Sequence, residues 1–266
     1  MKQTIKGLLR RSGLRRSDVA AARMYCERQA LARWGRRRPR QQGRILCYHS
    51  VGQPSFGVND IPPQAFRQQL EWALKQGYRF VPAEKIARDG GDPRSLAVTF
   101  DDAFKTVGTQ AAPILAEYGI PWSVFVVTNW SDGGGGWAPE TFLNWSELRE
   151  LADKGAEIGS HSVSHPDFGY LDGAHTRDEL RRSREIMEER LGFAPHSFAI
   201  PFGQSKNWSP VATEAAREAG YRIVYAQAEG SRPMFTVPRT FITHYDNGRV
   251  FEAALQGVFD HWEEWV

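Results

Sequence analysis

From Arg44 onward the chain alternates short apolar runs with longer stretches whose apolar residues recur every three or four positions. The short runs are ILCYHSV (45–51), YRFV (78–81), LAVTF (96–100), WSVFVV (122–127), AEIGS (156–160), HSFAI (196–200) and YRIVYA (221–226), with TVPR near 236 as a shorter eighth. Their length and their aromatic and β-branched content predict strands. Between them PPQAFRQQLEWALKQG, GTQAAPILAEYG, NWSELRELADKG, HTRDELRRSREIMEERLG and SPVATEAAREAG predict helices, and several close on a Gly suited to a left-handed C-terminal cap. Strand and helix in alternation predict a single wound α/β domain.

The 266 residues suffice for one such domain. Hydrophobic residues at 41% and charged ones at 24% are ordinary globular values, and no apolar run approaches the roughly 20 residues of a membrane span. Charge changes the picture more than composition does. Residues 1–44 hold 14 Lys and Arg against only Asp18 and Glu27, whereas the remainder is net −9. The expectation is a basic arm, residues 1–43, followed by an acidic domain, residues 44–266. On a helix from Ser17 to Trp34, Ala20, Met24, Leu31 and Trp34 fall near one face, with arginines around them. Such an arm can lie on an anionic membrane surface, pack on the acidic domain or stay solvated. Nucleic acid is not the expected partner. The arm lacks the continuous apolar segment of a signal peptide, so the expected location is cytoplasmic or peripheral to the inner face of a membrane. Two cysteines, Cys26 and Cys47, give no disulfide framework, and GGGG at 133–136 lacks the Lys-Ser/Thr of a phosphate loop.

Candidate chemistry falls where the predicted strands end: His49 after ILCY, Asp101 and Asp102 after LAVTF, His161 after AEIGS, Pro201 after HSFAI. Sites of α/β barrels and open α/β sheets are built at the carboxyl ends of strands. Two adjacent carboxylates are also at home in a turn, and that reading is as good as a site from LAVTFDDAFKT alone. His161 and His165, four apart in GSHSVSHP, would face the same way on a helical turn. Two imidazoles and one carboxylate make a three-ligand metal site with a position left for water, which favours the site reading.

TFDDA, HSVSHP and the PFG of FAIPFGQ resemble the first three motifs of the NodB-homology polysaccharide deacetylases, the carbohydrate esterase family 4, across about residues 44–241. ILCYHSV further resembles the poly-N-acetylglucosamine deacetylase branch, in which an early Tyr-His supplies a histidine that other members carry near their end. The resemblance implies a distorted (β/α) barrel of about seven strands and hydrolysis of an acetamide on an N-acetylated sugar. It makes Asp101 the general base, His49 the general acid, and Asp102, His161 and His165 ligands of a divalent ion, zinc before others. Pro201, Phe202 and Gly203 would line the substrate, with the Phe202 amide facing the oxyanion. Among Trp122, Trp130, Trp137 and Trp145, Trp137 is the expected sugar contact. The third motif carries Ala199 and Ile200 where an Arg often holds the base, and Arg239 and Asp246 lie where a later motif falls. Competing expectations are a hydrolase of non-sugar amides and a non-catalytic carbohydrate-binding module whose basic arm binds membrane or nucleic acid.

Overall fold

The computed structural model describes residues 16–138, 140–227 and 232–261, with side chains from residue 19 on. In chain order it comprises α1 (Arg16–Trp34), β1 (Arg44–Tyr48), β2 (Ser50–Val51), β3 (Asp60–Ile61), α2 (Pro63–Lys75), β4 (Arg79–Phe80), α3 (Ala83–Asp89), β5 (Ser95–Phe100), a wide helical turn (Val107–Ala111) running into α4 (Ala112–Glu117), and β6 (Trp122–Val126). There follow α5 (Thr128–Ser131), α6 (Trp145–Asp153), β7 (Glu157–Ser160), α7 (Gly173–Leu191), β8 (Ser197–Ala199), α8 (Pro210–Ala219), β9 (Ile223–Ala226), β10 (Val237–Pro238), β11 (Thr240–Phe241) and α9 (Gly248–Leu255).

The main sheet runs β10-β9-β8-β7-β6-β5-β1-β11, and β4 adds to the early part of β5. All of its pairings are parallel. Its two ends, β10 and β11, are separated in sequence only by Arg239, so the sheet curls into a nearly closed barrel. The shorter TVPR run is therefore the closing strand rather than an appendage.

Strands buried along their whole length, as β1 and β5 are, need apolar cover on both faces, which explains their unbroken apolar sequences. Alternate residues divide between the two faces. Leu46, Tyr48, Leu96, Val98 and Phe100 join the large outer core beneath the helices, while Ile45, Ala97, Phe125, Ala199 and Tyr225 form a separate cluster inside the barrel.

The N-terminal helix packs on the domain by a face turned from the expected one, sharing with it Met24 and the half-buried Leu31. Met24, Arg28 and Ala32 are buried, whereas Ala20 is exposed and Trp34 is 76% exposed. Arg28 is the reason: its guanidinium is fully buried, paired with Asp246 through two nitrogens and lying 4.2 Å over the Phe259 ring. Hydrophobic spacing cannot reveal a face centred on a charge.

Candidate active site

The inward register of four strands leads directly to the polar cluster. Ile45 and Cys47 lead to His49, Ala97 and Thr99 to Asp101, Gly159 to His161, and Ala199 to Pro201, each two residues further on. At these strand ends the backbone turns sharply. Asp102, Ala103, Ser162, His165 and Phe202 all have φ between +54° and +76°, a region that costs an L-residue about 1–2 kcal/mol. Five such residues at one end of the barrel mark where the fold has spent stability on placement.

Asp102, His161 and His165 come together. One ligand atom from each lies within 4.8 Å of the others, with Asp102 Oδ1 at 3.7 Å from His161 Nε2 and 3.6 Å from His165 Nε2. His161 Nδ1 donates to the Ala199 carbonyl at 2.7 Å, which fixes the tautomer and leaves Nε2 as the free lone pair. Asp102 Oδ1 is buried without a hydrogen-bond partner. An orphaned carboxylate oxygen facing two imidazole nitrogens is a donor set that fits a divalent cation with open positions.

The two histidines do not share a helical turn, contrary to the expectation from their spacing. HSVSH is a loop in which Ser162 and His165 both adopt positive φ. Glu179 of α7 holds this loop by accepting from the Val163 amide, the Ser164 amide and the Ser164 hydroxyl, and Ser162 Oγ accepts from the His165 amide. Trp130 stacks on the His165 imidazole, ring centroids 5.3 Å apart.

Asp101 is held differently. Arg239 donates to both of its oxygens, each at 2.7 Å, and the Cys47 thiol donates to Oδ2 at 3.4 Å. Arg239 sits between the two closing strands, so the guanidinium absent from the third motif arrives from the other end of the chain. Its signal in sequence was only its place after YRIVYA; nothing local says that it points inward.

Neighbouring carboxyls thus have opposite electrostatics. Burial works to raise Asp101, but the Arg239 guanidinium, with His161 and His49 behind it, holds the carboxyl far below the usual range. Burial and the adjacent Asp101 push Asp102 up to about 8. Burial lowers His49 to about 4 and His165 to about 3, the latter with help from His161, so both rings are neutral near pH 7. Burial also lowers His161.

His49, Asp102 and His165 open onto a cavity of about 560 Å³ whose other walls include Asn59, Asp167, Tyr170, Phe202, Gln204, Lys206 and Gln227. His49 packs edge-on against Phe241, and Phe202 lies 4.7 Å from the His165 ring. Pro201 and Gly203 are buried and do not line the cavity; they form the turn that presents Phe202. A Cβ on Gly203 would meet the Gln227 side chain at 2.5 Å, so only glycine fits there. Trp137, 45% exposed, belongs to an aromatic group with Phe56, Trp130 and Phe142 and is not among the residues lining the cavity. Gly135 packs so closely on Trp130 that a Cβ would fall 2.6 Å from its ring, which gives the glycine run a packing reason.

The sequence profile of the polysaccharide deacetylase family matches residues 88–224, about half of the chain. YxkH of Bacillus subtilis (strain 168), which carries the same family's name, is 22% identical over 80% of this chain and 76% of its own length. The poly-β-1,6-N-acetyl-D-glucosamine N-deacetylase of Escherichia coli (strain K12) is 24% identical over 69% of this chain, which spans only 34% of that protein. Among solved structures IcaB from Ammonifex degensii is 25% identical, covers 82% of this chain and 97% of its own, and superposes with a TM-score of 0.68. Motifs, barrel and profile agree, and the chain belongs to the NodB-type polysaccharide deacetylases, hydrolases of N-acetyl groups on sugars.

Proposed function

We propose that this chain removes acetyl from an N-acetylated sugar, polymeric or lipid-linked, using a divalent ion, zinc before others, held by Asp102, His161 and His165. The observation that carries the reading is the orphaned Asp102 oxygen, on the wall of a sugar-sized cavity, facing the Nε2 atoms of His161 and His165. When bound, the ion would supply Lewis-acid polarisation of the acetamide carbonyl and of an attacking water.

The chain's own residues do the rest. Asp101 takes the proton of the attacking water, and because Arg239 leaves it a poor proton holder it must hand that proton on. The Phe202 amide, in the turn built by Pro201 and Gly203, is assigned to the developing oxyanion. His49 is neutral at rest, so it acquires its proton within the cycle before delivering it to the departing amine. Trp137 and its aromatic neighbours offer an apolar wall beside His165 for a neighbouring sugar ring.

Arg33, Trp34 and Arg36, exposed at the end of α1, are the face assigned to an anionic membrane surface. No helix among the described residues is long and apolar enough to cross one. Co-sedimentation with phosphatidylserine vesicles that falls with added salt checks this contact.

The central test is acetate release from N-acetylated sugars, free and lipid-linked, with and without chelator. Chelator-sensitive release is expected. Asp102→Ala should lose bound metal, whereas Asp101→Asn should keep it and lose turnover; equal metal loss in both sinks the division of roles.

A further inference from the structure

Resting on the deacetylase reading, we infer that Lys206 makes this site selective for an N-acetylated sugar that bears an anionic group, phosphate or carboxylate, next to the ring being deacetylated. Of the described residues lining the active-site cavity, Lys206 is the only lysine or arginine. Two carboxylates also line it, and both are committed. Asp102 faces His161 and His165, and Asp167 accepts from the Asn207 side-chain amide at 2.7 Å and from the Gly169 amide at 2.9 Å. Lys206 makes no ion pair among the described residues. An exposed lysine on the cavity lining, with no ion pair to either of these acids, is a site for an anion supplied by a ligand.

The backbone that carries Lys206 is fixed rather than loose. Residues 167–170 and 205–208 are clamped together by the Asp167–Asn207 bond and by the bridge between Phe168 and Trp208. Gly169 lies so close that a Cβ there would fall 2.0 Å from the Lys206 carbonyl. The clamp sets Lys206, Tyr170 and the buried Gln204 on one wall, with His49, Asp102 and His165 on the same cavity surface. At about 560 Å³ the cavity has room for the reacting sugar and a substituent, so a group on the anomeric oxygen or a uronic carboxylate of an adjoining sugar can meet the ammonium while the acetamide sits at the cluster.

The test compares three ligands by calorimetry on the full chain and by acetate release: methyl N-acetylglucosaminide, N-acetylglucosamine 1-phosphate, and N-acetylglucosamine linked to glucuronate. A prenyl-diphosphate-linked N-acetylglucosamine in micelles separates a lipid source of phosphate from a soluble one. The wild type should bind at least one anionic ligand about tenfold or more tightly than the methyl glycoside. Lys206→Met should bring that ratio to near unity with the methyl glycoside unchanged, and Lys206→Arg should keep most of it. Equal affinity for neutral and anionic ligands, a preference that survives Lys206→Met, or inorganic phosphate binding as tightly as the sugar phosphate would each overturn the inference. Selective binding without acetate release from any of the sugars would instead overturn the deacetylase reading and leave the anion site standing.

Discussion

Asp101 and Asp102 are adjacent in the chain and alike in chemistry, yet the fold pushes their proton affinities apart. That separation is what assigns them different work. Asp102 is pushed up to about 8 by burial and by Asp101, so without a cation it holds a proton near neutral pH. A proton and a metal ion then compete for one carboxylate, while His165, lowered to about 3, offers no such competition. Metal affinity should therefore rise by up to about tenfold per pH unit from pH 6 to about 8 and level off above it. Chelator competition from pH 6 to 9 reads this directly, and a flat profile would refute it. The same shift has a stability sign. A carboxyl whose folded pKa exceeds its unfolded value contributes stability below the unfolded value and loses it as pH climbs through the folded one. Asp102→Asn should accordingly stabilise the metal-free protein at pH 8 by on the order of a few kcal/mol, read as a higher melting temperature, while abolishing stabilisation by added metal. Arg239 makes the complementary case. Its fork matches the Asp101 carboxylate with two bonds, a geometry that an ammonium cannot reproduce. Arg239→Lys should cut kcat about a hundredfold or more with metal stoichiometry intact, and a variant of unchanged kcat would show that the fork does not hold the base.

At the scale of elements, the strands and the polar residues at their ends could be read from hydrophobic runs because a parallel barrel buries both faces of each strand. Period two then fixes which residues point inward: once Ile45 and Cys47 face the interior, His49 must follow. Connections were less legible. The HSVSH spacing imitates a helical turn, but the chain forms a loop, since Thr128 and Asn129 donate to the Ser162 and Val163 carbonyls and Glu179 collects the amides on the other side. These partners lie 15 or more residues away in sequence, beyond any local pattern. Arg239 was hidden for a related reason, because an arginine between two two-residue strands looks solvated until the barrel closes on it. Six of the seven expected runs and the shorter TVPR run build the barrel wall; YRFV (β4) only adds to the edge of β5, and β11, two residues long, had no apolar run to announce it. Glu179 offers a test of this element-level support. Glu179→Gln removes the charge that gathers three donors, so metal affinity should fall about 10–100-fold while the melting temperature of the metal-free protein shifts little. Unchanged affinity would mean that Thr128, Asn129, Ser162 and Trp130 hold the loop without Glu179.

Across the whole molecule, a +12 N-terminal segment and a −9 remainder look like separate bodies in sequence, and part of that charge is instead consumed between them. Arg28 pairs with Asp246 in full burial, and Arg40 and Arg44 converge on Asp260. The Arg28 guanidinium also donates to the carbonyl of Phe241 in β11, the strand that directly follows Arg239 and whose Phe241 ring abuts His49. Helix α1 is thereby tied to segment 239–241, which contacts both the proposed base, Asp101, and the proposed acid, His49. Breaking a buried pair from one side leaves an uncompensated charge, at a cost of about 3–5 kcal/mol. If residues 1–43 were an independent arm, deleting them would leave the domain 44–266 as stable as before. The expected outcome is a truncated protein that loses several degrees of melting temperature or fails to fold, since Asp246 is stranded and the Phe241 carbonyl loses its donor. Truncation combined with Asp246→Asn removes the stranded charge and should recover part of the loss. Arg28→Met in the full chain should destabilise by a similar amount, and pairing it with Asp246→Asn should be far milder than the single change. If the truncated domain melts at the same temperature as the full chain, the helix is an appendage after all, and the coupling of its charge to the catalytic strand falls with it.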